Sequence, residues 1–175
     1  FVQFTDVTQA ELAQQQLQDL ITRMGDVELI VLSSGVGLYE KKLDWAVERE
    51  MIDVNVRGFA ALAIVSYEHF VQRGGGHLAG ISSVASHLFG GLTLTYHATK
   101  AFVSNYLAGM RSRAARTRLP ITITTIEPGF VKTPMVQGNP VWMAPVEKGV
   151  EQMVDGLIKK KQHLFIPGTA SSGGR

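Results

Sequence analysis

The sequence Leu29-Ile30-Val31-Leu32-Ser33-Ser34-Gly35 is a short apolar run that stops at two serines and a glycine. An uninterrupted run of this kind predicts a strand of a parallel sheet, because such strands are buried on both faces. His77 to Ser83 repeats the pattern. Ile121 to Ile126 is β-branched throughout and predicts a third strand, and Leu164 to Ile166 predicts a short final one.

Helical patterns separate these strands. An amphipathic helix is predicted over Thr8 to Met24, where Thr8 and Glu11 form a capping-box signature. Further helices are predicted over Asp44 to Gln72, Thr95 to Arg116 and Pro145 to Lys161. Strands that alternate with helices predict an α/β fold with a doubly wound, Rossmann-like parallel sheet. We expect one domain over residues 1–167 and a flexible tail over residues 168–175.

The composition narrows the class of protein. The 175 residues are 45% hydrophobic and 18% charged, which is typical of a globular protein. The net charge is +2, and the charged residues form no long run of one sign, so nothing indicates nucleic-acid binding. The lack of cysteine excludes disulfides and thiolate metal sites, and the five histidines show no metal-ligand spacing. The apolar runs are far shorter than the roughly 20 residues of a membrane span. We therefore expect a cytoplasmic protein with no membrane span, no metal and no nucleic-acid partner.

Three residues form a candidate catalytic group. In a parallel sheet, ligands bind beyond the carboxyl ends of the strands. Ser83 ends the second predicted strand, and Tyr96 and Lys100 are four residues apart on one face of the following helix. A lysine ammonium beside a phenol favours the phenolate, so Tyr96 is a candidate general acid/base, and Ser83 can hydrogen-bond a substrate oxygen.

Each of these features also has an ordinary interpretation. The pattern Tyr-x-x-x-Lys occurs by chance in many chains, and a serine after a strand is common in turns. Asn55 can be an exposed polar residue of its helix, and Pro128-Gly129 can be a simple turn. The order and placement of all four features together favour catalysis.

Four segments carry a resemblance to a known family. They are Asp53-Val54-Asn55-Val56-Arg57-Gly58, Gly80-Ile81-Ser82-Ser83-Val84-Ala85-Ser86, Tyr96-His97-Ala98-Thr99-Lys100-Ala101 and Pro128-Gly129-Phe130-Val131-Lys132-Thr133. In order and content they resemble the successive signatures of the short-chain dehydrogenase/reductase family, over residues 5 to 135. The resemblance implies an NAD(P)-dependent oxidoreductase that transfers a hydride between a nicotinamide and a carbonyl or alcohol substrate.

The same resemblance implies which residues form the site. Asn55, Ser83, Tyr96 and Lys100 would be the catalytic tetrad: Tyr96 is the acid/base, Ser83 orients the substrate, Lys100 holds the ribose, and Asn55 positions a water. The cofactor would be NAD or NADP, with NADP favoured by the habit of the family alone. The implied cofactor contacts come from Asp6, Val7, Ser33, Gly35, Tyr96, Lys100, Pro128, Gly129, Val131 and Thr133.

Two departures from the family pattern stand out. Ser33-Ser34-Gly35 replaces the usual Asn-Ala-Gly, and the sequence holds no Thr-Gly-x-x-x-Gly-x-Gly turn for the pyrophosphate. Phe1 to Thr5 is interpreted as the third strand of the family's sheet. We therefore expect an N-terminal strand-helix-strand unit to be missing ahead of it.

Two other classes of function stay open as alternatives. One is a catalytically silent protein that senses nicotinamide or binds a partner, and the other is a structural subunit. For the enzyme, we expect the substrate wall at Pro134 to Met143, which is rich in apolar residues. We also expect a homodimer or homotetramer, because the helices over Asp44 to Gln72 and Thr95 to Arg116 carry apolar residues on more than one face.

Overall fold

The described residues form a sheet of four parallel strands that are neighbours in chain order. The computed structural model describes residues 1–39, 41–129 and 145–167. The strands are β1 (Leu29–Leu32), β2 (Gly76–Ile81), β3 (Ile121–Pro128) and β4 (His163–Ile166), in the order β1-β2-β3-β4. In the register, Leu29 pairs with His77, Gly76 with Ile121 and Thr125 with His163. The predicted parallel sheet is confirmed.

Helices cover both faces of this sheet. They are α1 (Ala10–Met24), α2 (Trp45–Ile52), α3 (Phe59–Arg73), α4 (Leu94–Thr117) and α5 (Val146–Ile158). Helices α1, α3 and α4 pack on the face that carries Leu78 and Ile123. Helix α5 packs on the opposite face, against Ile126 and Leu164. The doubly wound, Rossmann-like architecture predicted from the sequence is confirmed.

The long helix predicted over Asp44 to Gln72 is divided. Asp44 caps α2 by accepting a hydrogen bond from the Ala46 amide at 2.9 Å, and Gly74, which has a φ of 87°, caps the end of α3. Between α2 and α3, Asp53–Gly58 forms a π-helical turn. Such turns are rare and frequently mark functional sites. This one contains Asn55.

The beginning of the chain departs from two predictions. Phe1–Thr5 forms no strand, and Phe1, Val2 and Phe4 are exposed. The strand prediction is wrong because an extended segment needs a hydrogen-bonded neighbour, and among the described residues β1 pairs with β2 alone. The capping box is also wrong: the amide and hydroxyl of Thr8 both donate to the Asp6 carboxylate, and α1 begins at Ala10 without a side-chain cap.

Candidate active site

Lys100 points its ammonium into the interior of the protein. The residue is 6% exposed, and Nζ donates to the carbonyl of Ile81 at 3.1 Å, at the carboxyl end of β2. The ring of Tyr96, one turn earlier on α4, has its centroid 5.8 Å from Nζ. Burial lowers the pKa of Lys100 to about 8. Helix α4 therefore holds the ammonium beside Tyr96. Because its pKa is lowered, this lysine loses its proton at a lower pH than an ordinary lysine does.

Gly35 forms the wall opposite this ammonium. A Cβ at that position would lie 3.1 Å from Lys100 Nζ and 3.4 Å from Asn55 Oδ1. A side chain there would crowd both polar groups. The glycine after β1 therefore lets the chain approach the ammonium closely.

Asn55 ties the segment after β1 to α4. Its Oδ1 accepts from the Val36 amide at 2.8 Å, and its Nδ2 donates to the Val36 carbonyl at 2.7 Å and to Thr99 Oγ1 at 3.0 Å. The Thr99 hydroxyl in turn donates to the carbonyl of Tyr96 at 2.9 Å. Asn55 is 1% exposed, so its interpretation as an exposed polar residue is wrong. One amide hydrogen thus binds the backbone of Val36, and the other binds the side chain of Thr99.

Ser83 links the carboxyl ends of β2 and β3. Its Oγ accepts from the Ala85 amide at 3.1 Å, which caps the 3₁₀ turn Val84–His87, and donates to the carbonyl of Pro128 at 3.3 Å. The preceding Ser82 donates to the carbonyl of Lys100 at 2.8 Å. Asn55 thus contacts α4 through Thr99, and Lys100 of α4 contacts the end of β2. Ser83 is linked to α4 through its neighbour Ser82.

The predicted cofactor residues lie at several positions around this edge. Ser33 and Gly35 follow β1, Pro128 ends β3, and the amide of Gly129 donates to Ile166 at 2.6 Å. The carbonyl of Val7 packs against Gly58 of the π-helical turn. Asp6 is exposed, and the hydrogen bonds from Thr8 lower the pKa of its carboxyl. Val131, Thr133 and the wall expected at Pro134 to Met143 lie outside the described residues.

The sequence interpretation missed two features of the site. Glu127 is fully buried at the end of β3 and accepts hydrogen bonds from Ser86, His87 and Ser104. A lone acidic residue directly after the β-branched run Ile121 to Ile126 was the available signal. The second feature is a set of apolar side chains, each more than half exposed, in the segment between Ser83 and Tyr96: Leu88, Phe89, Leu92 and Leu94.

The described residues contain neither a candidate metal site nor a candidate membrane-spanning helix. Residues 1–39, 41–129 and 145–167 contain no group of three histidine, cysteine, aspartate or glutamate side chains that could hold a metal ion. In the same part of the chain, no helix has both the length and the apolar character that crossing a membrane requires.

The family described as short chain dehydrogenase matches residues 1–144. An uncharacterized oxidoreductase from Myxococcus xanthus is 33% identical over 169 residues, which is 93% of this chain and 65% of the relative. The chain thus spans slightly less than two thirds of that relative.

Solved structures show a similar fold. A short chain dehydrogenase/reductase from Burkholderia phymatum in complex with NAD has a TM-score of 0.81 at 16% identity, over 92% of this chain and 68% of that one. ElxO with NADP bound has a TM-score of 0.80 at 18% identity, over 93% and 74%. At these identities the likeness concerns the fold.

Proposed function

The chain belongs to the short chain dehydrogenase family, and on that premise we propose that it is an NAD(P)-dependent oxidoreductase acting on a carbonyl or alcohol group. The observation that carries the proposal is the buried ammonium of Lys100 beside the ring of Tyr96. A buried charge is costly, and within residues 1–39, 41–129 and 145–167 no carboxylate forms an ion pair with this one. A positive charge kept beside a phenol at the edge where ligands bind is suited to acid/base chemistry.

Each residue of the tetrad has a distinct task in this proposal. The hydroxyl of Tyr96 gives a proton to the substrate oxygen during reduction and takes it back during oxidation. The ammonium of Lys100 stabilises the phenolate that is left. The Oγ of Ser83 donates a hydrogen bond to the same substrate oxygen. Asn55 keeps the segment after β1 and the backbone of α4 in place through Val36 and Thr99.

The residues around Lys100 fit a nicotinamide dinucleotide. The wall at Gly35 lacks a side chain where a Cβ would crowd Nζ, which suits a ribose hydroxyl approaching the ammonium. We propose further contacts from Asp6, Val7, Ser33, Pro128, Gly129, Val131 and Thr133. When bound, the cofactor supplies the hydride donor or acceptor. Similar structures hold NAD or NADP, and we propose one of these two without choosing between them.

The substrate is proposed to be a small molecule with an apolar body. The segment from Val84 to Thr95, which joins Ser83 to Tyr96, contains no acidic or basic residue other than His87. Its exposed leucines and Phe89 offer no partner to a phosphate or carboxylate. An uncharged ketone, aldehyde or alcohol would gain more there than a charged one.

Self-association is proposed through the outward face of α4. A shallow groove on that helix is lined by Phe102, Asn105, Tyr106, Gly109, Met110 and Arg113. Phe102 and Tyr106 stack with ring centroids 5.3 Å apart and remain partly exposed. A second copy of the chain would cover these rings, and the proposed product is a homodimer or homotetramer.

Replacing Tyr96 by phenylalanine tests the proposed chemistry. The protein is screened with NADH and NADPH against aldehydes, ketones and alcohols, and the variant is expected to lose turnover by a factor of about 100 or more while its cofactor affinity changes less than severalfold. Tyr67→Phe is the matched control, because the buried Tyr67 hydroxyl has no hydrogen-bond partner among the described residues. Equal turnover in the Tyr96 variant and the wild type would remove Tyr96 from the mechanism. Cofactor binding without turnover of any substrate would favour the catalytically silent alternative.

A further inference from the structure

Glu127 is a buried carboxylate that contacts two elements of the proposed site. Its Oε1 accepts from Ser104 Oγ of α4 at 2.6 Å and from Ser86 Oγ at 3.1 Å. Its Oε2 accepts from His87 Nε2 at 3.1 Å. A buried carboxylate without donors would cost several kcal/mol, so the position requires this set of partners.

The other polar groups around Glu127 also favour its ionised form. His163 of β4 has its Nδ1 3.5 Å from Oε2, and its Nε2 accepts from Arg111 Nη2 at 3.2 Å. The accepting nitrogen lacks a proton, so in neutral His163 the proton is on Nδ1, towards the carboxylate. Burial raises the pKa of Glu127, but the hydrogen bonds from Ser104, His87 and Ser86 outweigh burial and leave the pKa below its ordinary value.

The contacts of Glu127 lead to Ser83. Ser86 and His87 belong to the turn Val84–His87 that Ser83 caps. The Oγ of Ser83 donates to the carbonyl of Pro128, the residue directly after Glu127. The Glu127 carboxylate therefore binds the end of the turn at Ser86 and His87. Pro128, the next residue in the chain, accepts the hydrogen bond of Ser83.

A second route leads from Glu127 to α4. The hydrogen of Ser104 Oγ is donated to the carboxylate, and the same oxygen lies 2.8 Å from Ser82 Oγ. Ser82 Oγ also lies 2.8 Å from the carbonyl of Lys100 and can donate to either acceptor. The turn that follows Ser83 and the helix that carries Tyr96 and Lys100 thus both hydrogen-bond to the Glu127 carboxylate.

We propose that Glu127 is a positioning residue, which fixes Ser83 relative to Tyr96 and Lys100 through the turn Val84–His87 and Ser104. This inference rests on the proposed function, because it assigns Glu127 a role through Ser83 in that reaction. Glu127→Gln keeps the size of the side chain but removes the charge. It also places an NH₂ group where a carboxylate oxygen was, so the charge-assisted hydrogen bonds from Ser86, His87 and Ser104 become weaker neutral ones or reverse their direction.

The first test measures the turn itself, without activity. Hydrogen-deuterium exchange is followed at the amides of Ala85, Ser86 and Leu88, which donate to Ser83 Oγ, Ser83 O and Ala85 O. Glu127→Gln is expected to speed exchange there at least tenfold. Thr124→Val is the control, because Thr124 is equally buried on β3 but contacts His77 and Lys161 instead. Unchanged exchange in the Gln variant, or equal changes in both variants, would overturn the inference.

The second test asks whether Glu127 acts through Ser83. Glu127→Gln is expected to lower kcat on the order of tenfold with little change in the cofactor KM, because misplacing a reacting group costs rate more than binding. In a Ser83→Ala background, measured in single turnovers, the same change is expected to alter the rate less than about twofold. Equal losses in both backgrounds would make Glu127 merely structural and refute the proposal. A Ser83→Ala protein with the wild-type rate, or a wild type with no turnover, would instead refute the proposed function.

Discussion

Replacing Lys100 by methionine is expected to stabilise the folded protein while removing its activity. Burial lowers the pKa of the ammonium from 10.5 to about 8. One pKa unit corresponds to about 1.4 kcal/mol, so keeping the charge buried costs the folded state about 3 kcal/mol at neutral pH. Methionine keeps the apolar stem without the charge. Loss of the hydrogen bond to Ile81 offsets about 1 kcal/mol, which leaves a net stabilisation of about 2 kcal/mol.

The sign of the pKa shift fixes how this gain depends on pH. In the unfolded chain the lysine stays protonated up to its ordinary pKa of 10.5, whereas in the folded protein it loses the proton near pH 8. Between these values the unfolded state binds more protons, so the wild-type protein becomes more stable as the pH rises. The advantage of Lys100→Met is therefore full below pH 8 and narrows as the pH approaches 10.5.

Urea unfolding of the cofactor-free proteins, followed by tryptophan fluorescence, measures these free energies. The matched control is Lys159→Met, because Lys159 is exposed near the end of α5 and pairs with Asp155 one turn earlier. Its replacement is expected to leave the unfolding midpoint nearly unchanged. If Lys100→Met is no more stable than the wild type at pH 7, or if its advantage stays constant above pH 8, the reasoning is refuted.

Three further substitutions test the site, the packing and the surface. Gly35→Ala places a Cβ 3.1 Å from the buried ammonium and is expected to weaken NADH or NADPH binding about tenfold in fluorescence titrations. The control is Gly91→Ala, whose Cβ meets no atom within 4 Å, and it is expected to bind the cofactor as the wild type does. Gly76→Ala, at a φ of 156° and against the ring of Phe70, is expected to lower the free energy of unfolding by about 3 kcal/mol, and a loss below about 1 kcal/mol would contradict the packing. Gly109→Glu adds a charge to the groove on α4 where a Cβ meets nothing, so it is expected to give stable monomers in sedimentation; an unchanged oligomer would place the contact elsewhere.

The strands were predictable because burial on both faces leaves a local pattern in the sequence. The observed bounds of β1 are the predicted ones, and those of β2, β3 and β4 differ by two residues or fewer. The tetrad was predicted from the family resemblance together with its placement at strand ends, and it stays a prediction. Phe1–Thr5 shows the limit of this approach, since an extended segment becomes a strand only when another strand lies beside it.

The contacts that organise the site could not be predicted from local patterns. Asn55 bonds to Val36 and Thr99, which are 19 and 44 positions away. The partners of Glu127 come from a turn and a helix that precede it by more than 20 residues. The local sequence around a buried polar residue does not show whether residues distant in the chain will contact it. Its role therefore depends on tertiary packing.

The chain-order arrangement of the sheet has a consequence for how the protein is made. β2 pairs with β1, β3 with β2 and β4 with β3. Each of the three later strands therefore joins a sheet edge formed by residues that the ribosome has already synthesised. Helices α1 and α3 and the first two strands can therefore collapse together while β4 is still being translated. Assembly of these four described strands in this direction therefore proceeds without a later strand being inserted between two earlier ones.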